Sequence, residues 1–357
     1  MTGAPGPVIT AWSAISPFGV GAKEFMAGVK QGRVTAARPG DGYGLVPDEP
    51  ACLVPDFDVR EALGPKGTRA MNRMTGLAVA CTADVLAGLG AGRPAPERTA
   101  LVLGTSTGSL QSAMAFTRGS LTAPKPYQVD AALIPYAVMN AAASQCAIWH
   151  ELRGQNATIA AGRPTGLVAL SYARRLLLTG RASAVLCGAA EEFSAARAWV
   201  DSHSREEPAV LGEGCVMFAL TLASPGVGQV PLATVLAVDS RVCADGNWRG
   251  AVGACVGRVL AVGGRQAAEV GVAVPSGLAA EAGRAEQAAL TEVFGSRVLA
   301  PVTELIGETH AVSAAFQVAA VLSRWSGDHS AGAPLAVVTS ADPGGQVAAA
   351  LLRREPA

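Results

Sequence analysis

The chain alternates short apolar, β-prone runs with longer amphipathic stretches, and this alternation occurs twice in succession. Two series of similar element order predict an α/β fold built from two pseudo-repeated halves, each a sheet covered by helices. The loop Ser224–Gly228 is the expected boundary. It gives an N-terminal half of residues 1–225 and a C-terminal half of residues 226–357.

The first half is predicted to contain strands Val8–Ala14, Thr99–Gly104, Asn156–Ala161, Ala184–Gly188 and Cys215–Leu222, with helices Ala22–Gln31, Thr68–Leu89, Pro135–Leu152 and Thr165–Thr179 and one from Leu110. The second half is predicted to contain strands Pro231–Asp239, Val270–Pro275, Leu299–Thr303, Leu335–Thr339 and Gln346–Leu352, with helices Trp248–Val262, Ala279–Phe294 and Thr309–Trp325.

Charge and composition exclude several classes of function. The formal net charge is +0, and the basic residues are not interleaved with aromatics, so nucleic-acid binding is not expected. The N-terminal residues lack a basic and then apolar signal-peptide pattern, so we expect a cytoplasmic protein. The uncharged stretch Ala131–Trp149 approaches the length of a membrane span, but it contains Pro135, Asn140 and Gln145. A buried helix is therefore the preferred interpretation there.

The seven cysteines are scattered through apolar settings without a CxxC pair or a His/Cys cluster. This distribution is typical of buried thiols in a reducing compartment, and it predicts neither a metal site nor disulfides. The turn GTSTGS after Thr99–Gly104 lacks the lysine and the glycine spacing of a nucleotide-binding loop. Asp201, His203 and Glu206 are expected to lie in one solvated polar loop.

The segment GQNATIAAGRPTG, residues 154–166, predicts a strand, a tight turn at Gly162 and the start of a helix. Such an elbow favours a nucleophile, because the helix N-terminus lowers the pKa of a thiol and leaves backbone N–H groups for an oxyanion. The residue at the elbow is Arg163, which cannot act as a nucleophile.

Six segments in chain order resemble the β-ketoacyl synthase family, which has the thiolase fold of layered α/β/α/β/α architecture. They are GQNATIAAGRPTG, ASAVLCGAAEEFS, LGEGCVMFALT, VGVAVPSGLAAEAGRAEQAALTEVFG, VTELIGETHAVSAAFQVAAVL and LAVVTSADPGGQVAAALL. The resemblance implies the positions of the family's catalytic residues, and here they are degenerate. Arg163 replaces the cysteine, Pro275 and Glu308 replace the two histidines, and Thr303 replaces the lysine.

These replacements remove the chemistry of the condensation. A Claisen condensation needs a thiolate to hold the acyl chain and two donors to stabilise the enolate. Pro275 has no donor, an ionised Glu308 would repel the enolate, and Arg163 cannot form an acyl-enzyme. His310 lies two residues from the second histidine position, and a register shift would bring it into that role.

Such losses resemble one branch of the family, the chain length factor or ketosynthase β subunit of type II polyketide synthases. The resemblance implies a heterodimer with an active ketosynthase α subunit, acyl chains carried on the phosphopantetheine of an acyl carrier protein, and no cofactor of its own. The chain departs from this branch by having Arg163 where glutamine is common and by its short segments after Glu192 and Asp239. These departures favour a divergent subgroup, such as one that makes reduced or polyene chains.

Two site hypotheses follow from the resemblance. Because the cysteine and second-histidine positions face each other in the family fold, Arg163 and Glu308 are predicted to form an ion pair that plugs the pocket, with Glu191 or Glu192 as the alternative partner. Three residues match the positions where the chain length factor narrows the acyl tunnel: Leu110, Ala113 and Thr117. Their spacing places them on one helix face, which is equally compatible with ordinary packing. Met114 and Phe116 are the alternative narrowing residues.

Two other functions remain open from the sequence. The chain could be a thiolase-fold acyltransferase or hydrolase that acts alone through His310 or a cysteine away from the elbow. It could also be a homodimeric binding or scaffold protein for acyl carriers. A mean hydropathy of +0.32 favours a large interface in any of these cases.

Overall fold

A computed structural model describes residues 6–47, 50–205, 207–223, 230–327 and 333–356. Its strands are β1 Pro7–Ser16, β2 Gly19–Val20, β3 Ala51–Cys52, β4 Thr99–Gly104, β5 Asn156–Ile159, β6 Ala184–Glu191, β7 Leu211–Gly212, β8 Gly214–Leu222, β9 Ala233–Val242, β10 Val270–Val274, β11 Leu335–Ala341 and β12 Gln346–Arg354. Its helices are α1 Ala22–Gln31, α2 Val59–Leu63, α3 Arg73–Gly88, α4 Leu110–Thr122, α5 Ala141–Trp149, α6 Thr165–Leu178, α7 Ala195–Ser204, α8 Trp248–Gly263, α9 Glu281–Phe294, α10 Thr303–Ile306 and α11 Ser313–Gly327.

The strand order repeats between the two halves. The first half runs β5-β4-β6-β8-β1, and the second half runs β10-β11-β12-β9 in the reverse direction along the same sheet. In both halves a parallel pair, β4 with β6 or β10 with β11, is followed by two antiparallel pairings. A two-residue ladder joins the halves, pairing Val8 with Thr234 and Ile9 with Ala233. The predicted pseudo-repeat is therefore confirmed in the topology.

Alternate strand residues divide the core into layers, because successive side chains point to opposite faces of a sheet. Val185 and Val338 face the central core, where they join the buried apolar faces of α6 and α11. Leu186 faces the opposite way, onto α3 and α5. Val337 likewise faces α8 and α9. The result is the layered α/β/α/β/α architecture of the thiolase fold, with α6 and α11 as the middle layer.

The predicted strand Leu299–Thr303 is wrong. Val298 makes a single parallel bridge to Ala273, and Leu299 N donates to Ala273 O, but pairing stops there. Pro301 has no N–H to continue the ladder. The chain turns into the short helix α10 instead.

Two other predictions need correction. The single helix Pro135–Leu152 is replaced by a 3₁₀ helix over Ala131–Tyr136, which contains Pro135, and by α5. The stretch is also not fully buried, since Ile148 is 70% exposed. Asp201 and His203 were expected in a polar loop, but they lie in helix α7, Ala195–Ser204. Ser194 caps the N-terminus of this helix by accepting a hydrogen bond from Arg197 N at 3.2 Å. Glu206 lies outside the described residues.

The predicted boundary loop, Ser224–Gly228, also lies outside the described residues, so the division at 225/226 stays a prediction. Among the residues that are described, no helix is long and apolar enough to cross a membrane.

Candidate functional site

The predicted elbow forms between β5 and α6. Gly162 has a φ of +59°, and a Cβ at that position would lie 2.2 Å from Asp342 Oδ2, so both conformation and space require glycine. Thr165 fastens the turn, since its hydroxyl donates to Gly162 O at 2.5 Å and accepts from Ala161 N at 2.9 Å. The elbow is therefore preserved although its nucleophile is absent.

The backbone amide of the elbow is already occupied. Arg163 N donates to Asp342 Oδ2 at 2.9 Å. The second oxygen, Asp342 Oδ1, accepts from Gly344 N at 2.8 Å in the double-glycine turn before β12. A carboxylate is favourable at a helix N-terminus because it satisfies a free N–H and the helix dipole. In an acyl-transfer enzyme, an amide in this place is available to the oxyanion.

The side chain of Arg163 points into the protein and forms an ion pair through Nη1 with Glu308 Oε2. The two side chains are only 4% and 10% exposed. Burial raises the pKa of Glu308, but the Arg163 guanidinium and then His310 outweigh this and hold that pKa below its ordinary value. Glu308 is therefore ionised at neutral pH, and a buried cation and anion fill the pocket together.

The pair is not fully satisfied. Arg163 Nε and Nη2 are buried and have no protein hydrogen-bond partner. Glu308 Oε1 accepts from His310 N at 2.7 Å. Leaving one partner of such a pair alone in the interior would be costly.

The backbone of Glu308 is held rigidly in place. Its N–H donates to Val210 O at 2.7 Å, and its carbonyl accepts from Gly212 N at 2.8 Å. The buried Arg197 of α7 adds a donor to the same carbonyl at 3.0 Å and binds the carbonyls of Glu192 and Gly212. These contacts hold the main chain of Glu308 independently of its ion pair with Arg163.

The first histidine position, Pro275, is buried directly after β10. Thr303, at the lysine position, directs its hydroxyl to the carbonyls of Ser276 and Gly277 at 3.3 and 3.4 Å. Neither side chain offers an N–H donor to a ligand. At these two positions, therefore, the side chains lack the N–H groups of the histidine and lysine that the resemblance implies.

A second buried carboxyl, Glu286 of α9, lies near these positions. Glu286 Oε1 accepts from Ser276 N at 3.1 Å and from Thr339 Oγ1 at 2.5 Å, and Oε2 pairs with the hydroxyl of Ser276. Burial raises the pKa of Glu286, and its hydrogen bonds and the charge of Arg163 offset this only in part. The folded protein therefore holds the Glu286 proton to a higher pH than an exposed glutamate would.

The side chain of His310 is not part of the Arg163–Glu308 ion pair. Its backbone has a φ of +45°, and its Nε2 lies 3.2 Å from Asp201 Oδ1 on α7. Asp201 is also paired with Arg205 at 2.5 Å. Burial raises the pKa of Asp201, but the His310 hydrogen bond and the nearby cations outweigh it and lower that pKa. His310 therefore acts as a structural tie to α7.

All seven cysteines are buried and free. Burial raises the pKa of Cys146 and of Cys255 to about 12, and it raises the pKa of Cys187 and Cys215 as well. Thiols of this kind stay protonated and are poor nucleophiles. Within the described ranges, no group of three His, Cys, Asp or Glu side chains could hold a metal ion.

The four proposed tunnel residues lie on α4. Leu110 and Ala113 are half-buried, whereas Met114 is 40% exposed and Thr117 is exposed. The strands β4 and β5 are adjacent and parallel, so α4 and α6 start at the same edge of the sheet. A Cβ on Gly104 would lie 2.3 Å from Thr165 Cγ2, so the end of β4 and the start of α6 are in close contact.

Sequence reasoning missed Asp342 and Glu286 as members of this site. Asp342 could have been found, since an aspartate at the start of an Asp-Pro-Gly-Gly turn is a candidate for capping backbone amides. Glu286 gave no such signal, because nothing local marks one glutamate of an amphipathic helix as the buried one. Glu191 and Glu192, the alternative partners predicted for Arg163, form hydrogen bonds with other residues. Glu191 accepts from Thr105, and Glu192 accepts from Ser109.

Comparisons with known proteins place this geometry in a family. The structure matches that of the ishigamide ketosynthase/chain length factor with a TM-score of 0.93 and 43% sequence identity, over 98% of this chain and 100% of that one. A ketosynthase (ApeO) in complex with its chain length factor (ApeC) from Xenorhabdus doucetiae matches with a TM-score of 0.78 over 98% of each chain, and at 17% identity it shows the fold alone.

The curated relatives are more distant. The oxytetracycline polyketide putative beta-ketoacyl synthase 1 of Streptomyces rimosus is 29% identical over 246 residues, which cover 60% of this chain and 56% of that protein. The chain thus spans about half the length of the curated relatives it matches. A family model of the beta-ketoacyl synthase N-terminal domain matches residues 8–224, more than half of the 357 residues. The chain belongs to the β-ketoacyl synthase family.

Proposed function

We propose that this chain is a catalytically inactive ketosynthase-like subunit, a chain length factor, that pairs with an active ketosynthase and shapes its acyl tunnel. The observation that carries the proposal is the occupied elbow. Arg163 replaces the nucleophile, its guanidinium pairs with Glu308, and its amide is bound by Asp342. A pocket that is closed in this way has no room for a thioester.

The likeness to the ishigamide ketosynthase/chain length factor supports the partner. That protein is a ketosynthase/chain length factor, and the chain matches it over nearly full length at 43% identity. The active subunit would supply the cysteine and receive acyl groups from an acyl carrier protein. This chain would need no cofactor of its own.

One surface of the first half suits such a partner. The edge strand β5 pairs with β4 alone among the described strands, and its residues are half-buried or exposed. Beside it, the outward face of α6 forms a shallow depression with Ile159, lined by Val168, Tyr172 and Leu178. An unpaired strand edge next to apolar side chains is a template for association.

The 131–149 stretch, whose helix α5 contacts β5 from the other face of the sheet, also exposes apolar residues. Ile134, Val138, Met139 and Ile148 are between 43% and 70% exposed. Large exposed patches of this kind are typical of interaction sites. An obligate interface would bury them, which gives a physical reason for a stretch without charges in a folded protein.

Within this proposal, Leu110, Ala113, Met114 and Thr117 of α4 line the tunnel. Met114 and Thr117 are exposed in the single chain and are therefore available to a partner or an acyl chain. Three of the four side chains are small or of moderate size, which favours a tunnel longer than one closed by aromatic residues.

Co-expression with a ketosynthase that has an intact Cys-His-His set and is encoded by a neighbouring gene tests the proposal. We expect a one-to-one complex and carrier-dependent condensation that requires the partner's cysteine. Leu178→Glu should abolish co-purification, whereas Leu45→Glu, at an 87% exposed leucine away from α6, should not. The heterodimer would be contradicted if this chain formed a stable homodimer and did not bind the ketosynthase. It would also be contradicted if Leu178→Glu and Leu45→Glu co-purified with the ketosynthase to the same extent.

No observation favours the alternative of an independent acyltransferase or hydrolase. His310 is tied to Asp201, and the pKa values of the buried thiols that shift are raised. Incubation of the isolated chain with an acyl thioester should give no covalent adduct by intact-protein mass spectrometry. A covalent adduct would support the alternative of an independent acyltransferase or hydrolase.

A further inference from the structure

A cavity of about 920 Å³ lies apart from the elbow, between α1 of the first half and three parts of the second half: α11, the edge of β10 and residues 299–305. Its volume is within the range of small-molecule sites, about 300–1,000 Å³. The apolar walls of the cavity include Val272, Leu299, Leu305, Ala320 and Trp325. Its charged lining includes Lys30, Arg324 and Glu304.

The sequence explains why a cavity forms there. A fifth strand of the second half would cover the edge of β10, but pairing ends after Val298 and Leu299. Pro301 turns the chain away, so residues 299–305 form a wall instead of a strand. Small residues such as Ala320 leave the space between this wall and α11 unfilled.

The walls and the charged lining differ in chemistry. Val272 and Trp325 are buried, at 4% and 8% exposure, and Leu299 and Leu305 are half-buried. Lys30 and Arg324 are exposed, and neither has an ion-pair partner among the described residues. Among the described residues of the lining, Glu304 is the single carboxylate against Lys30 and Arg324, so this part of the lining carries a net positive charge.

We propose that this cavity binds a medium-chain acyl carboxylate. The hydrocarbon chain would lie against Val272, Leu305 and Trp325, where burial of its methylene groups favours binding. The carboxylate would lie between Lys30 and Arg324, two donors otherwise left to water. The inference does not depend on the proposed function, because none of these residues belongs to the elbow or to the α4–α6 surface.

Titration of the purified full chain with dodecanoate and with 1-dodecanol tests both parts of the proposal. Calorimetry should detect dodecanoate binding, with 1-dodecanol at least tenfold weaker because it lacks the charge. Quenching of tryptophan fluorescence by a brominated dodecanoate should disappear in Trp325→Phe. Equal affinity for acid and alcohol, quenching that survives in Trp325→Phe, or no binding at all, would overturn the proposal.

Charge variants sharpen the test without disturbing the core. Lys30→Glu and Arg324→Glu should each weaken dodecanoate binding at least fivefold, whereas Glu304→Gln should strengthen it. Lys23→Glu, at an exposed position of α1 outside the cavity lining, is the matched control and should leave the affinity unchanged. Equal loss in Lys23→Glu would indicate a general charge effect and refute the assigned site.

Discussion

Asp342 accepts a hydrogen bond from the backbone N–H of Arg163, at 2.9 Å, so a carboxylate of the second half caps the elbow of the first. This contact and the Arg163–Glu308 ion pair block the pocket in different ways. The ion pair fills the space of the reacting groups. The cap occupies an amide that would otherwise stabilise an oxyanion. Under the proposed function, loss of the nucleophile is therefore only one of the obstacles to catalysis.

A first prediction is that Arg163→Cys does not restore an acyl-enzyme. The new thiol would face the carboxylates of Glu308 and Asp342, and nearby negative charge disfavours a thiolate. The elbow amide would remain bound to Asp342. Intact-protein mass spectrometry after incubation with an acyl thioester should show no adduct.

The double variant Arg163→Cys/Asp342→Ala separates the two obstacles. Freeing the amide and removing one anion should make the thiol more reactive toward iodoacetamide than in Arg163→Cys alone. Equal alkylation rates in the two variants would mean that Asp342 does not control the elbow. Asp342→Ala alone is the control for damage, and it should cost about 0.5–2 kcal/mol of stability as a lost cap.

A second prediction concerns the energetics of the plug. Arg163→Met leaves Glu308 ionised and unpaired in the interior, so the free energy of unfolding should fall by about 3–5 kcal/mol. Arg163→Met/Glu308→Leu replaces both charges by apolar groups, and it should recover most of that loss. Urea unfolding of the two variants and the parent chain measures both effects. A loss below about 1 kcal/mol in the single variant would show that the pair is not isolated from water.

Much of the fold could be predicted from the sequence because its signals are local. The helix Ala22–Gln31 and the strand Thr99–Gly104 were predicted with the bounds that the structure has. The errors arose where long-range pairing decides. Whether residues 299–303 form a strand depends on how the chain continues along β10, and periodicity does not contain that information. Likewise, the exposure of Ile148 depends on what surrounds α5.

The site was less predictable than the fold. The resemblance identified Arg163 and Glu308, which lie far apart in the chain and form an ion pair in the structure. Asp342 and Glu286 reach the same region from β-turn and helix positions that carry no reactive motif. Their roles follow from burial and hydrogen bonding alone, which only the three-dimensional arrangement defines.

A third prediction is that Glu286 makes stability depend on pH. Since its folded pKa is raised, the folded state holds the proton more tightly than the unfolded chain does. This stabilisation is fully present below the unfolded pKa of about 4.3 and is lost as the pH rises through the folded pKa. Glu286→Gln mimics the neutral acid and does not ionise.

The Glu286→Gln variant should therefore gain stability relative to the parent chain between pH 4.5 and pH 8, as measured by urea unfolding. Glu292→Gln is the matched control on the same helix, because Glu292 is 62% exposed and pairs with Arg249 at the surface. The difference in the free energy of unfolding between Glu292→Gln and the parent chain should not increase as the pH rises. An unchanged difference for Glu286→Gln across this range would mean that Glu286 is ionised in the folded state.

The last prediction addresses the tunnel and rests on the proposed function. Ala113→Trp or Thr117→Trp should shorten the product of the reconstituted complex by one or more extension units, because a large side chain would narrow the space for the growing acyl chain. Ala115→Trp adds the same bulk to an exposed position on a different face of α4, and it should leave the product unchanged. Mass spectrometry of the carrier-bound products compares the three variants, with co-purification as the check that each complex assembles. If Ala113→Trp and Thr117→Trp assemble and give products of the parent length, α4 does not line the tunnel, and chain length must be set elsewhere at the interface.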